Sequence, residues 1–152
     1  METTNHENRV NFEVENHEVC VNFEVAKTLK TVGFDWDCKY VYDLMFPISC
    51  KDNKVYDDYY NKNPNRFSDL VSAPTLDVAQ RWLRENKDFD INIITDFDSV
   101  KRLYYVRYVV KDGHYKTYYI TNNRSYVYFN TFEEAQEAGI KKALEIILEK
   151  GK

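Results

Sequence analysis

The sequence predicts an α+β protein: a small antiparallel sheet, a Tyr-rich meander, packed against about three helices. Its C-terminal part runs in α-β-β-β-α order. Three observations predict this. A helix-opening phrase recurs as "NFEVAK" from Asn22, "TLDVAQ" from Thr75 and "TFEEAQ" from Thr131. The run "RLYYVRYVVKDGHYKTYYIT", 102–121, sets Asp112-Gly113 between two β-rich stretches, the pattern of a hairpin. Finally, only four glycines and three prolines occur, too few for linkers or a string of modules. The chain reads as one compact domain, 1–152, that divides into an N-terminal α/β part, 10–71, and an α-β-β-β-α part, 72–150.

Residues 1–9 are polar. From Val10 to Val14, apolar Val10, Phe12 and Val14 alternate with Asn11 and Glu13, which predicts a strand, with Val19-Cys20-Val21 as its partner across "ENHE". The same pentapeptide, "VNFEV", returns at 21–25 with a different fate. There Asn22 is an N-cap, Val25, Leu29 and Val32 fall at helical spacing, and Gly33 is the stop. Each recurring phrase has the same logic. A polar cap accepts a free backbone N–H, an acid (Glu24, Asp77, Glu133) sits where the helix dipole favours it, and an alanine (Ala26, Ala79, Ala135) permits close packing. Thr131 and Glu134 add a capping box. The sequences between the copies do not match, so a shared helix-start grammar explains them better than duplication.

"CKYVYDLMF" predicts the strand that follows the first helix. The stretch 47–73 is a long, polar, Tyr- and Asp-rich connection with room for one short hairpin. After a helix over 75–86, Ile91, Ile93 and Ile94 predict a strand and "TDFDS" a turn. A two-residue type I′ turn at Asp112-Gly113 sets Lys111 opposite His114. One face then holds Tyr104, Val106, Tyr108 and Val110 against Thr121, Tyr119, Thr117 and Tyr115. The other holds Tyr105, Arg107, Val109 and Lys111 against Ile120, Tyr118, Lys116 and His114. "TNNR" turns into "SYVYF", a third strand, and the last helix, 131–149, turns Ile140, Ala143, Leu144 and Ile147 inward. Gly139 within it costs ~1 kcal/mol relative to alanine, a cost met where a helix crosses closely over a sheet.

Composition narrows the function. Hydrophobic residues make up 43%, enough for a globular core, and 13 residues are tyrosine, which suits half-exposed sheets and contact surfaces. The net charge of −4 is unevenly spread: residues 1–70 hold 8 basic against 13 acidic side chains, whereas 99–130 carry Lys101, Arg102, Arg107, Lys111, Lys116 and Arg124 against Asp112 alone. Uniform coating of nucleic acid is thereby disfavoured. The three cysteines, Cys20, Cys38 and Cys50, lack C-x-x-C spacing, which argues against a disulfide framework or a zinc site. The N-terminal stretch carries no basic and apolar leader pattern, and no run approaches 18 apolar residues, so a soluble cytoplasmic protein is expected.

The phrases "NFEVAKTLKTVGFDWDCKYVYD", "SAPTLDVAQRWLREN" and "FEEAQEAGIKKALEII" resemble a family of small uncharacterised proteins encoded by gut Bacteroides-type bacteria, their phages and mobile elements. The resemblance spans roughly residues 21–149 and is most specific from Ser72. It implies a source and a genomic setting, and brings with it no catalytic residue, cofactor or partner.

Candidate chemistry is sparse. Asp35/Asp37 and Asp96/Asp98 are D-x-D pairs that can hold a divalent cation, but they lack the surrounding ligands and read better as turn or helix-entry residues. His6, His17 and His114 stand in no Ser or Cys signature, and four scattered glycines make no phosphate loop. No enzyme activity, cofactor or metal is expected. The constellation that remains is Tyr105, Arg107, Lys111, His114, Lys116 and Tyr118. On a sheet, aromatic stacking beside basic charge can bind single-stranded nucleic acid; the plainer reading is a solvated face with Arg107 stacked on Tyr118. The C-terminal order also resembles that of double-stranded-RNA-binding domains, but Glu133 and Glu134 stand where those domains need lysines to grip phosphate. The leading expectation is an accessory protein that binds another protein through its tyrosine-rich surface and the 47–73 stretch. Nucleic-acid binding is the alternative.

Overall fold

The first helix, α1 (Phe23–Thr31), has both ends fixed by local chemistry. At its start the Asn22 side chain accepts the Val25 N–H at 3.0 Å, satisfying one of the otherwise unpaired amides of the first turn. At its end Gly33 takes φ +95°, which lets its own N–H reach the Lys30 carbonyl and the Phe34 N–H reach that of Leu29. This is a Schellman stop, and Phe34 and Leu29, both buried, make the apolar closure that accompanies it. The computed structural model describes residues 13–14, 18–45, 56–57 and 63–151. The predicted strand residues Val10, Asn11 and Phe12, His6, His17, Cys50 and most of the 47–73 stretch lie outside them.

Two units make up the chain, Met1–Asp77 and Val78–Lys152, with the division falling inside the second helix. In the first, β1 (Glu13–Val14) pairs antiparallel with β2 (Glu18–Val19). The central strand β3 (Tyr40–Asp43) is flanked by β4 (Tyr56–Asp57) and β5 (Leu70–Ser72), both antiparallel to it. β5 has no counterpart in the sequence expectations, which left 47–73 as a connection with one hairpin. Three residues are too few to show a period, and tertiary contacts specify the strand instead. Asn65, the middle residue of the 3-10 turn Pro64–Arg66, donates to the Phe34 carbonyl and accepts the Ser72 N–H. Lys30 reaches the Phe67 and Leu70 carbonyls, each at 2.6 Å. Loss of hydration on burial draws the Lys30 ammonium below its ordinary pKa, with Asp69 pulling the other way. Val21, Ala26, Leu29, Tyr42, Val71 and Ala73 are buried in this unit.

Helix α2 (Leu76–Lys87) carries the chain from the first unit into the second. There β6 (Phe89–Phe97), β7 (Arg102–Asp112) and β8 (His114–Tyr119) form an antiparallel meander, and α3 (Phe132–Lys150) closes the chain. Thr131 caps α3 by accepting the Glu134 N–H, while the Glu134 carboxylate reaches back to the Asn130 N–H. β6 runs through Asp96 and Phe97, further than the turn expected at "TDFDS", because its ladder with β7 continues to Phe97 opposite Arg102. The turn begins at Asp98, whose carboxylate accepts the N–H groups of Val100 and Lys101. The fold is α+β, with three helices and small antiparallel sheets among the described residues.

The hairpin register differs from the expected one. Asp112 faces His114, Lys111 faces Tyr115 and Arg107 faces Tyr119, a slip of one residue against the predicted pairing of Lys111 with His114. Asp112 does not take the positive φ that a type I′ turn requires; only Gly113 does, at +70°. A one-residue slip turns every side chain of β8 to the opposite face. The observed register lets Tyr118 stack on Tyr108, which stacks on Phe89, giving an aromatic ladder across three strands. The tight turn expected at "TNNR" forms, with Asn123 and Arg124 both at positive φ between β9 (Thr121–Asn122) and β10 (Ser125–Tyr126).

Candidate functional site

Alternation along β7 defines two faces. Val106, Tyr108 and Val110 are buried on the side where α3 crosses. Gly139 of α3 lies against Ile91 and Val106 there, and Phe132 meets Tyr104 edge-on at 6.1 Å. Tyr105, Arg107, Val109 and Lys111 point the other way, with Asp90, Asn92, Ile94 and Asp96 of β6 and Tyr115, Thr117 and Tyr119 of β8 beside them.

On this second face four tyrosines converge. Tyr105 stacks on Tyr126 at 4.7 Å and 6°, meets Tyr128 edge-on at 5.9 Å and leans on Tyr119 at 6.3 Å. Tyr119 and Tyr126 are 5.1 Å apart. The segment that brings in Tyr126 and Tyr128 is held by main-chain bonds, Val127 to Ile120 and Phe129 reciprocally to Tyr104. Tyr128 donates its hydroxyl to Asp96 at 3.1 Å, and this bond, ahead of other effects, holds the phenol above its ordinary pKa. Tyr119, Tyr126 and Tyr128 remain 37%, 43% and 44% exposed, so the cluster is a surface rather than a core.

The six residues singled out in the sequence do not form one site. Tyr105, Arg107 and Lys111 share the tyrosine face. Lys116 and Tyr118 stand on the opposite face, opposite Val110 and Tyr108, and His114 is paired with Asp112 at the hairpin tip. The proposed stack of Arg107 on Tyr118 is therefore not made; the residue across from Arg107 is Tyr119. Sequence reasoning missed Tyr119, Tyr126 and Tyr128. For the last two a signal existed, since alternate positions in "SYVYF" share a face whenever that segment is extended.

Electrostatics on this face are mixed. Lys111 lies over the Tyr115 ring at 5.9 Å, a cation–π contact. Arg107 is half-buried, and its Nε is buried with no hydrogen-bond partner among the described residues. Elsewhere, the D-x-D residues Asp96 and Asp98 are engaged by Tyr128 and by the turn amides. No three His, Cys, Asp or Glu side chains converge as a metal site among the described residues. Burial, with smaller contributions from Cys38 and Glu18, pushes the Cys20 thiol up to about 12, which leaves it protonated and a poor nucleophile. Among the described residues no helix is long and apolar enough to cross a membrane. Neither a protein-family model nor a curated protein nor a solved structure matches the chain.

Proposed function

We propose that this chain is a small cytoplasmic accessory protein of phage or mobile-element origin that acts by binding another protein through the tyrosine face of its second unit. One observation carries the reading: Tyr105, Tyr119, Tyr126 and Tyr128 gather on the face away from α3 while three of them stay exposed. Tyrosine offers large, rigid contact area with a polar tip, and interfaces are enriched in it. Its rings are already braced against one another, so little side-chain entropy is lost when a partner covers them.

Nucleic-acid binding is the competing proposal, and the hairpin register weighs against it. The slip leaves Arg107 and Lys111 beside the tyrosines but removes Lys116 and Tyr118, and the separate pairing of β6 with β7 sets Asp90 and Asp96 on the same face. A phosphate backbone crossing that face would meet carboxylates.

The test is affinity capture from a Bacteroides-type host with the natural chain and with a Tyr119→Ala/Tyr126→Ala variant whose folding is verified by circular dichroism. The proposal predicts one stoichiometric protein held by the natural chain and lost by the variant. Equal recovery by both chains would remove the tyrosine face from the account. Salt-sensitive binding of single-stranded DNA or RNA, abolished by Arg107→Ala, would favour the competing proposal.

A further inference from the structure

Arg107 is the unexplained group on the tyrosine face. Its Nε is shielded from solvent and has no hydrogen-bond partner, and no ion pair or ring contact engages the guanidinium among the described residues. Buried donors left unsatisfied are costly, more so when charged, and native proteins keep few of them. The residues directly across from Arg107 are neutral, Asn92 on β6 and Tyr119 on β8. Tyr105 flanks it along the strand, and Lys111 repeats the positive charge four residues on. Of the acids on this face, Asp96 is occupied by Tyr128 and Asp90 stands opposite Val109.

We infer that Arg107 anchors a carboxylate of the partner, so that the tyrosine face docks an acidic, extended peptide segment. This rests on the protein-binding reading above and names the chemistry it would take. A guanidinium fork matches a carboxylate in two parallel hydrogen bonds, a pairing about twice as strong as a neutral one. Arg107 as a whole is only half-buried, so part of its side chain stays open to solvent and to a partner. Tyr119, directly across the strands from it, carries a hydroxyl that can donate as well. Charge complementarity favours a peptide over a polyanion: among the described strand residues β7 sets the cations Arg107 and Lys111 on this face, and a peptide can place acids over them while passing neutral residues over Asp90 and Asp96.

The test is a ¹⁵N NMR titration of the full chain. The Arg107 Nε–Hε signal is assigned by its loss in Arg107→Lys, and the amide spectrum of that variant reports whether the fold is kept. Three probes are added separately: a blocked hexapeptide of alternating glutamate and threonine, its glutamine counterpart, and a thymidine octanucleotide. The inference predicts a saturable shift of the Arg107 Hε signal and of the Tyr119 amide with the glutamate peptide. It predicts at least tenfold weaker binding of the glutamine peptide, and of the glutamate peptide to Arg107→Lys. Equal binding of the two peptides at Tyr119 and Tyr126 would overturn the anchor while leaving the protein-binding surface standing. No response on this face to either peptide would count against both, and a response to the oligonucleotide alone would replace both with the nucleic-acid reading.

Discussion

Gly139 of α3 crosses Ile91 of β6 so closely that a Cβ at Gly139 would sit 2.6 Å from the Ile91 Cγ2 and 3.2 Å from the Val106 Cγ1. The missing side chain sets the distance between helix and sheet. Because Ile91 is β-branched, its Cγ2 cannot swing aside as the end of a long side chain would. Gly139→Ala is therefore expected to destabilise the protein by about 1–3 kcal/mol through overpacking, even though alanine favours the helix by roughly 1 kcal/mol. In an Ile91→Ala background the same change should be neutral or stabilising. Denaturant unfolding of the four chains of this cycle measures the coupling, and additive effects would show that the contact is not what holds the glycine in place.

A chain of side-chain amides ties the same elements together. Gln136 of α3, buried, donates to Gln80 of α2 at 2.7 Å, and Gln80 donates to the Ile91 carbonyl at 2.7 Å. Gln80→Leu strips a bond from each neighbour and is expected to cost about 1–3 kcal/mol. Replacing Gln80 and Gln136 together with leucine should cost less than the two single changes added. Thermal unfolding of the single and double variants decides this.

The Asp98 turn gives a dependence on acid. Backbone hydrogen bonds from Val100 and Lys101 hold its carboxyl below the ordinary 3.8. A carboxyl whose folded pKa is depressed stabilises the fold above its unfolded pKa, and that contribution disappears as pH falls through the folded value. In Asp98→Asn the acid limb of the stability curve, below the ordinary carboxylate range, should be shallower than in the natural chain. Superimposable acid limbs would mean that the turn bonds do not favour the charged form.

Cys20 should be silent to thiol reagents. With its thiol pushed up to about 12 and its side chain buried, it carries almost no thiolate at pH 8.5. Iodoacetamide labelling followed by peptide mapping is expected to miss Cys20 in the native protein and to find it after denaturation. Rapid native labelling of Cys20 would revive a nucleophilic role.

What the sequence revealed and what it concealed divide along a physical line. Helix ends are local: Asn22, Gly33 and Thr131 act on residues within four positions, and each does what its type predicts. The closeness of Gly139 to the sheet was legible too, since a mid-helix glycine asks for a reason. The hairpin register was not, because Asp112-Gly113 suits either a two-residue turn or a loop with glycine alone at positive φ. The choice fell to pairings distant in sequence, Tyr118 on Tyr108 and Tyr119 with Tyr105 and Tyr126. β5 escaped for the same reason, as its three residues are held by Asn65 and β3 rather than by a pattern of their own. The candidate site inherited the register: half its basic residues changed sides.

That register also determines which residues form the proposed binding face, so it is the point on which the functional account turns. Solution NMR reads it directly from cross-strand proton contacts in the hairpin. The account predicts main-chain contacts pairing Arg107 with Tyr119 and Val109 with Thr117; contacts pairing Arg107 with Tyr118 and Val109 with Lys116 would contradict it and put Lys116 back beside Arg107.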